Sequence, residues 1–230
     1  METTKEPDVN FKDRVEAGQI LANKLTKYAD QNPLVLALPR GGLPVAFEVA
    51  KTLKAPLDVY IVRKLGVPGQ EELAMGAIAT GGVRVLNQPV VDSMQISEEE
   101  IETETRKEQA ELSRREELYR AGRPPLEVSK RTVILIDDGI ATGSTIKAAI
   151  AALKKQDASR IIVGVPVAPL STIEELKNEV DEVVCVSTPD FFIAISVWYD
   201  VFPQITDDEV REFLKNAEIK QPEAIAAANP

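Results

Sequence analysis

Short apolar runs alternate with helical patterns along most of this chain. Five runs rich in Val, Ile and Leu predict buried strands, at 34–38, 57–64, 133–136, 160–169 and 181–187. Apolar spacing and capping signals predict helices at 10–30, 43–53, 146–156, from 171 and from 206, with Asn10 and Ser171 among the expected caps. Strands that alternate with helices favour parallel pairing and right-handed crossovers. The fold expected is therefore α/β, a doubly wound and mainly parallel five-stranded sheet.

The region between the second and third strands interrupts this rhythm. Residues 66–120 contain a glycine-bearing loop, a short hairpin that turns at Gly81–Gly82, and a highly charged helix. The pair Ser97 and Glu100 forms the capping box expected to open that helix, which reaches about Arg120. We expect one domain over 1–216 with 66–120 as an inserted region, followed by a loosely ordered tail over 217–230.

The sequence VILIDDGIATGST, from Val133 to Thr145, is the strongest candidate for a binding site. Two carboxylates, Asp137 and Asp138, follow the third strand, and a loop of small and hydroxyl residues leads into a helix. The loop residues are Gly139, Ala141, Thr142, Gly143, Ser144 and Thr145. Backbone amides at a helix N-terminus attract phosphate, and the carboxylates can accept hydrogen bonds from a sugar diol or lie near Mg²⁺. The alternative is an ordinary capped turn, but two adjacent acids favour a ligand or a cation.

Other polar residues follow the ends of the first two predicted strands. Pro39–Gly42 comes after the first strand, and Arg63 with Lys64 ends the second. In an open α/β sheet, ligands bind beyond the carboxyl ends of the strands. Glycines, three cations and two acids at that edge predict a polar, anion-binding crevice.

Composition excludes several classes of chemistry. The chain has no histidine, which removes a His base, a Ser-His-Asp triad and a His-ligated metal. Its one cysteine, Cys185, allows no internal disulfide and fits a reducing cytoplasm. The net charge of −10 argues against nucleic acid as the main partner, and no apolar window reaches the roughly 18 residues of a membrane span. The polar N-terminus does not resemble a secretory signal, so we expect a cytoplasmic protein.

These motifs resemble the type I phosphoribosyltransferases. The resemblance lies in the apolar strand, the acid pair Asp137–Asp138 and the loop that ends in Thr142-Gly-Ser-Thr145. The strings LVLALPRGGLPVAFEVA, VRKLGVPGQEELAMGAIATGG and FFIAISVWYDVF are similar to a bacterial subgroup of that family, and with them the resemblance covers most of 10–215.

The resemblance implies a glycosyltransferase of nucleotide metabolism. Family members bind 5-phosphoribosyl 1-pyrophosphate (PRPP) with Mg²⁺, and a nitrogen of an acceptor displaces pyrophosphate. Asp137 and Asp138 would hold the ribose diol and, directly or through the diol or water, the metal. The loop would bind the 5′-phosphate; its candidate residues are Gly139, Ala141, Thr142, Gly143, Ser144 and Thr145. Arg40, Gly41 and Gly42 would bind pyrophosphate, and Arg63 with Lys64 would neutralise it. Residues 66–120 fall where the family carries a mobile lid, and Trp198 and Tyr199 lie where the acceptor is covered.

The acceptor and the general base stay open. Ala141 occupies the position of the Asp that handles a purine proton in the 6-oxopurine enzymes of the family. A purine, a pyrimidine or another amine therefore stays an alternative, and Glu71 or Glu72 would have to serve as base. The main rival is a PRPP-binding sensor that has lost transfer. The sequence does not contain the motif of a P-loop kinase, since Ser144 stands where that motif requires a lysine. A homodimer is left open.

Overall fold

The computed structural model describes residues 9–220, apart from the side chains of Ile219 and Lys220. Five parallel strands form the central sheet: β1 (Leu34–Ala37), β2 (Leu57–Val59), β6 (Thr132–Ile136), β7 (Arg160–Val167) and β8 (Glu182–Ser187). Their order is β2-β1-β6-β7-β8. The expected doubly wound α/β fold is confirmed.

Successive strand residues face opposite sides of the sheet, and both sides are covered. Val35, Ile134 and Ile162 belong to the core beneath α1 (Arg14–Leu25) and α2 (Gly42–Leu53). Their neighbours Leu34 and Val133 belong to the core beneath α5 (Ser144–Lys155). Burial on both faces explains why these strands appear in the sequence as continuous apolar runs.

A separate three-stranded antiparallel sheet follows β2. It consists of β3 (Val62–Val67), β4 (Gln70–Ala79) and β5 (Val83–Leu86), in that order. The hairpin expected at Gly81–Gly82 is confirmed as the β4–β5 turn. The expected single strand over 57–64 is wrong, because β2 ends at Val59 and the chain enters the second sheet at Val62. The expected glycine-bearing loop is instead largely the β3–β4 hairpin.

Helices after the hairpin complete the insertion and then the outer layers. Short α3 (Gln88–Ser93) precedes α4 (Glu98–Arg120), and later helices are α6 (Leu170–Lys177) and α7 (Asp207–Lys220). The capping box of Ser97 and Glu100 is confirmed. Two expected caps are wrong: Asp13 rather than Asn10 caps α1, and Pro169 rather than Ser171 precedes α6. Local composition cannot choose between neighbouring polar residues as caps.

The boundary predicted at residue 216 stays a prediction. Helix α7 continues past it to Lys220, and Ala217 is buried. Residues 221–230 of the predicted tail lie outside the described part. No helix within 9–220 is both long and apolar enough to cross a membrane.

Candidate active site

The acid pair lies at the carboxyl end of the central strand β6. Asp137 is partly exposed and Asp138 is buried. The loop then turns through Gly143, whose φ of +74° favours glycine, into the N-terminus of α5. No side chain caps this helix, so the first amides of α5 are available to an anion. Ala141, Thr142, Ser144 and Thr145 are exposed around that end.

The loop after β1 packs directly against the acid pair. A Cβ added to Gly41 would overlap the carboxylate of Asp138. A Cβ on Gly42 would lie 2.8 Å from the Ile136 carbonyl oxygen and 2.9 Å from the Cα of Asp137. Both glycines are therefore needed for the close approach of the two loops. The structure thus brings together the Pro39–Gly42 and Asp137–Thr145 motifs that the sequence predicted at one edge.

Arg14, from the first turn of α1, neutralises Asp138. Its Nε donates to Asp138 Oδ2 at 2.8 Å, and its Nη1 donates to the carbonyl oxygen of Pro203 at 2.7 Å. The guanidinium carbon lies 3.7 Å from the ring centroid of Phe202. Both members of the pair are about nine-tenths buried, with side-chain exposures of 8% and 11%. The Asp138 carboxylate is therefore fixed in place before any ligand binds.

The two acids shift each other's ionisation. Although Asp137 is partly exposed as a residue, desolvation of its carboxyl group, and then the neighbouring carboxylate of Asp138, raise its pKa well above the ordinary value. Burial also raises the pKa of Asp138, against the opposing effect of Arg14. Asp137 is thus the carboxylate with the greater need of a cation or a hydrogen-bond donor.

Two clefts meet at this edge of the sheet. One is a cradle of about 180 Å³ formed by Asp137, Gly139 and the loop over 140–146. The other is a larger open cleft of about 590 Å³ beside Asp138 and Gly41. Ala141 and Ile195 line both. We call them, after the roles expected from the sequence, the phosphate cradle and the acceptor cleft; Asp137 lines the first and Asp138 the second.

Arg40 reaches the acceptor cleft from the loop after β1. Its Nη1 lies 3.6 Å from Oδ1 of Asp207 at the start of α7, and its side chain is 44% exposed. Asp207 also accepts a hydrogen bond of 2.7 Å from the Tyr119 hydroxyl. An exposed arginine held this loosely can turn to an anionic ligand at small cost.

Arg63 and Lys64 do not lie where the sequence placed them. Both belong to β3 of the antiparallel sheet, and neither lines the cradle or the acceptor cleft. The Nε of Arg63 donates to Glu108 of α4 at 2.6 Å, and Lys64 is exposed. Their position at the end of the second parallel strand is corrected, because the chain leaves that sheet at Val59.

Tyr199 and Trp198 also differ from expectation. Tyr199 is buried under the acid loop, where its hydroxyl donates to the carbonyl oxygen of Asp138 at 2.5 Å. Trp198 is partly buried, and its indole Nε1 is a buried group without a hydrogen-bond partner. Neither residue lines the acceptor cleft. The residues of this segment that do line it are Ile193, Ala194, Ile195 and Ser196.

The proposed general bases lie apart from the clefts. Glu71 and Glu72 are exposed on β4, and Glu71 lines a hollow against α4. Among residues 9–220, no three acids, cysteines or histidines form a group that could hold a metal ion. A cation at Asp137 would therefore take most of its ligands from a bound phosphate or from water, which suits Mg²⁺.

Three residues of the site escaped the sequence patterns. Arg14 lies 124 positions from Asp138, so no local spacing could pair them. Thr172 supports the loop through a hydrogen bond of 3.2 Å from its hydroxyl to the Ala141 carbonyl oxygen. Ile195 packs where a Gly139 side chain would lie. The only available signals were an arginine in an otherwise ordinary helix start and the aromatic-rich stretch around Ile195.

A parallel α/β sheet with an acid pair, an open helix N-terminus and a glycine loop at one edge is typical of proteins that bind phosphorylated ligands. The model of the phosphoribosyl transferase domain matches residues 12–201, so this chain belongs to that family.

Two relatives and one solved structure agree with this assignment. Two from Mycobacterium tuberculosis, strains CDC 1551 and H37Rv, carry provisional names as phosphoribosyl transferases and are 46% identical over 223 residues. The alignment covers 96% of this chain but 50% of each relative, so the chain spans about half their length. The solved structure of TT1426 from Thermus thermophilus is 39% identical, with a TM-score of 0.82 over 90% of this chain and 99% of that one.

Proposed function

We propose that this chain transfers the 5-phosphoribosyl group of PRPP to a nitrogenous acceptor, with Mg²⁺ and with release of pyrophosphate. The observation that carries the proposal is that the phosphate cradle and the acceptor cleft share Ala141 and Ile195, with Asp137 lining the cradle and Asp138 lining the cleft. A ribose bound there would have its phosphate in the cradle and its C1 toward the acceptor cleft.

Each end of the donor has a matching group. The amides and hydroxyls of Thr142, Ser144 and Thr145 surround the uncapped helix end, where a dianionic phosphate gains from the helix dipole. The partly exposed Asp137 can accept hydrogen bonds from the ribose diol. Gly41 and Gly42 let the loop after β1 pack against the acid pair, and Arg40 on the same loop supplies a countercharge for pyrophosphate.

Mg²⁺ fits this arrangement as an ion that the protein and the donor would coordinate together. Asp137 would hold it, because Oδ2 of Asp138 is already bonded to Arg14. When bound, the ion would neutralise charge on the phosphates. The chain's own contribution is positioning: cradle, acids and Arg40 hold the two ends of the donor while the bond at C1 breaks.

The transition state explains the value of fixed charges. As pyrophosphate departs, the ribose acquires oxocarbenium character and negative charge grows on the leaving group. A fixed donor at such a charge is worth about 3 kcal/mol, or roughly a hundredfold in rate. Arg40 and the amides after Pro39 would act on this charge. Their presence favours a transferase over a sensor that only binds PRPP.

Pyrophosphate release tests the proposal. We expect PRPP-dependent release in the presence of Mg²⁺ and an extract of small molecules, with a new ribosylated product visible by mass spectrometry. A double variant, Asp137→Asn with Asp138→Asn, should abolish the release. Tight PRPP binding with background release for every acceptor would instead support the sensor.

A further inference from the structure

We propose that Asp207 is a positioning residue for Arg40: its carboxylate pairs with the guanidinium before a donor binds, and it gives Arg40 up to the pyrophosphate group of the donor. The inference rests on the transferase function proposed above, in which Arg40 is the countercharge of pyrophosphate. It adds to that function one residue of α7 and, behind it, Tyr119 of α4. Three observations carry it: a loose contact of Arg40, a firm contact of Asp207, and the place of Asp207 at the start of a helix.

The contact between Arg40 and Asp207 is easily exchanged. Nη1 of Arg40 lies 3.6 Å from Oδ1 of Asp207, which is longer than a hydrogen bond. Both side chains are open to solvent, with exposures of 44% and 39%. Ion pairs this exposed are weak, because water solvates both groups and salt screens their attraction. A pyrophosphate group, which carries more charge than one carboxylate, can therefore take Arg40 from Asp207.

Asp207 itself is held more firmly than Arg40. The Tyr119 hydroxyl donates a hydrogen bond of 2.7 Å to Oδ1 of Asp207, and Tyr119 is buried near the end of α4. Burial, and then this hydrogen bond, raise the pKa of Tyr119 to about 12, so the hydroxyl keeps its proton at neutral pH. The carboxylate therefore keeps its place whether or not Arg40 lies beside it.

The charge of Asp207 is stabilised after Arg40 leaves. Asp207 is the first residue of α7, where unpaired backbone amides and the helix dipole favour a negative charge. Its exposure to solvent also keeps it hydrated. Release of Arg40 therefore leaves no buried unpaired charge, and the same carboxylate is available to take Arg40 back when pyrophosphate departs.

Asp207 acts on the ligand through Arg40. Arg40 lines the acceptor cleft together with Gly41 and Asp138, whereas Asp207 is not one of the lining residues. The carboxylate thus competes with pyrophosphate for the arginine without taking a place in the cleft. Its removal should strengthen the binding of ligands that carry pyrophosphate and should not affect a ligand that lacks it.

Calorimetric titration with inorganic pyrophosphate and Mg²⁺ tests the proposal. Asp207→Asn keeps the size of the side chain and an oxygen that can accept from Tyr119, but removes the charge that competes for Arg40. We expect the Kd of pyrophosphate to fall about threefold, since an exposed ion pair is a weak competitor. The Kd of ribose 5-phosphate should stay as in the wild type. Asp208→Asn is the matched control, because Asp208 is the next residue of α7, is 83% exposed and pairs with Arg211. It should change neither Kd.

The Arg40→Ala background shows whether the effect passes through Arg40. In that background, Asp207→Asn should leave the Kd of pyrophosphate unchanged. An equal fall in Kd there, an equal fall in Asp208→Asn, or an unchanged or higher Kd in Asp207→Asn alone would overturn the proposal and leave the transferase intact. A wild-type chain that binds neither pyrophosphate nor PRPP would overturn the proposed function, and this inference with it.

Discussion

Arg14 and Asp138 form a buried ion pair that joins the first helix to the centre of the site, with 2.8 Å between Nε and Oδ2. Arg14 also stacks on Phe202, another lining residue of the acceptor cleft, and donates a hydrogen bond to the carbonyl oxygen of Pro203. The acid pair at the end of β6 is thus fastened both to α1 and to the 202–203 segment.

Arg14→Met should strongly destabilise the chain. The substitution leaves Asp138 buried without its partner, which typically costs about 3–5 kcal/mol. Urea unfolding at neutral pH measures the loss. Arg115→Met is the control: its partner Glu111 lies on the surface of α4, so the loss there should stay below about 1 kcal/mol. Arg14→Lys should recover part of the stability. Similar losses for the Arg14→Met and Arg115→Met variants would show that the buried pair contributes no more to the free energy of unfolding than the surface pair does.

Gly41→Ala should weaken PRPP binding by more than tenfold. The φ of Gly41 is −61°, which any residue adopts, so only the space beside Asp138 is at issue. Calorimetry with Mg²⁺ measures the affinity. Gly69→Ala tests backbone strain alone, since Gly69 has a φ of +75° and open space around it. That control should lose about 1 kcal/mol of stability but no PRPP affinity. Unchanged affinity in Gly41→Ala would separate this loop from the donor site.

Arg40→Ala should slow turnover more than it weakens donor binding. Countercharge on departing pyrophosphate acts in the transition state, so kcat should fall about a hundredfold. The Kd of PRPP should change by a smaller factor. Arg114→Ala, on the exposed face of α4, is the matched control and should change neither quantity. Equal losses in kcat and in PRPP affinity would show that Arg40 also stabilises the bound donor and does not act mainly in the transition state.

Asp137→Asn should stabilise the ligand-free chain at pH 7.5. Burial and Asp138 raise the pKa of Asp137 in the folded state, so the folded chain binds this proton more tightly than the unfolded chain. The free energy of unfolding therefore falls as pH rises through that folded pKa. Thermal unfolding in EDTA should give the variant the higher Tm at pH 7.5, with the difference shrinking as pH falls. A lower Tm for the variant at pH 7.5 would contradict this, and exposed Asp208→Asn should show no such trend.

Local sequence patterns predicted the parallel sheet and two loops of the site, Pro39–Gly42 and Asp137–Thr145. Val133–Ile136 are apolar because both faces of the sheet are covered, and the acid loop follows them in sequence. Topology alone then brings Gly41 beside Asp138, since β1 and β6 are parallel neighbours. These conclusions need only strand ends and their order.

The predictions that the structure corrected depend on contacts between residues far apart in the sequence. Residues 57–64 are rich in strand-forming residues, yet the amide of Ile61 donates to Thr80 Oγ1 at 3.0 Å and the chain passes into another sheet. Periodicity cannot show which sheet a strand joins. Tyr199 is aromatic like a stacking residue, but its hydroxyl finds a buried carbonyl 61 positions away. The pairing of Arg14 with Asp138 could be recognised only in the folded structure, for the same reason.

Titration of the chain with PRPP and Mg²⁺ by calorimetry tests the donor site most directly. The wild type should bind one PRPP per chain, and Asp137→Asn should lose that binding while keeping its cooperative unfolding. Ribose 5-phosphate should compete, because it fills the phosphate cradle and meets the same carboxylate. Absence of saturable PRPP binding in the wild type, or equal affinity in the folded variant, would contradict the assignment of this edge of the sheet to a phosphoribosyl donor.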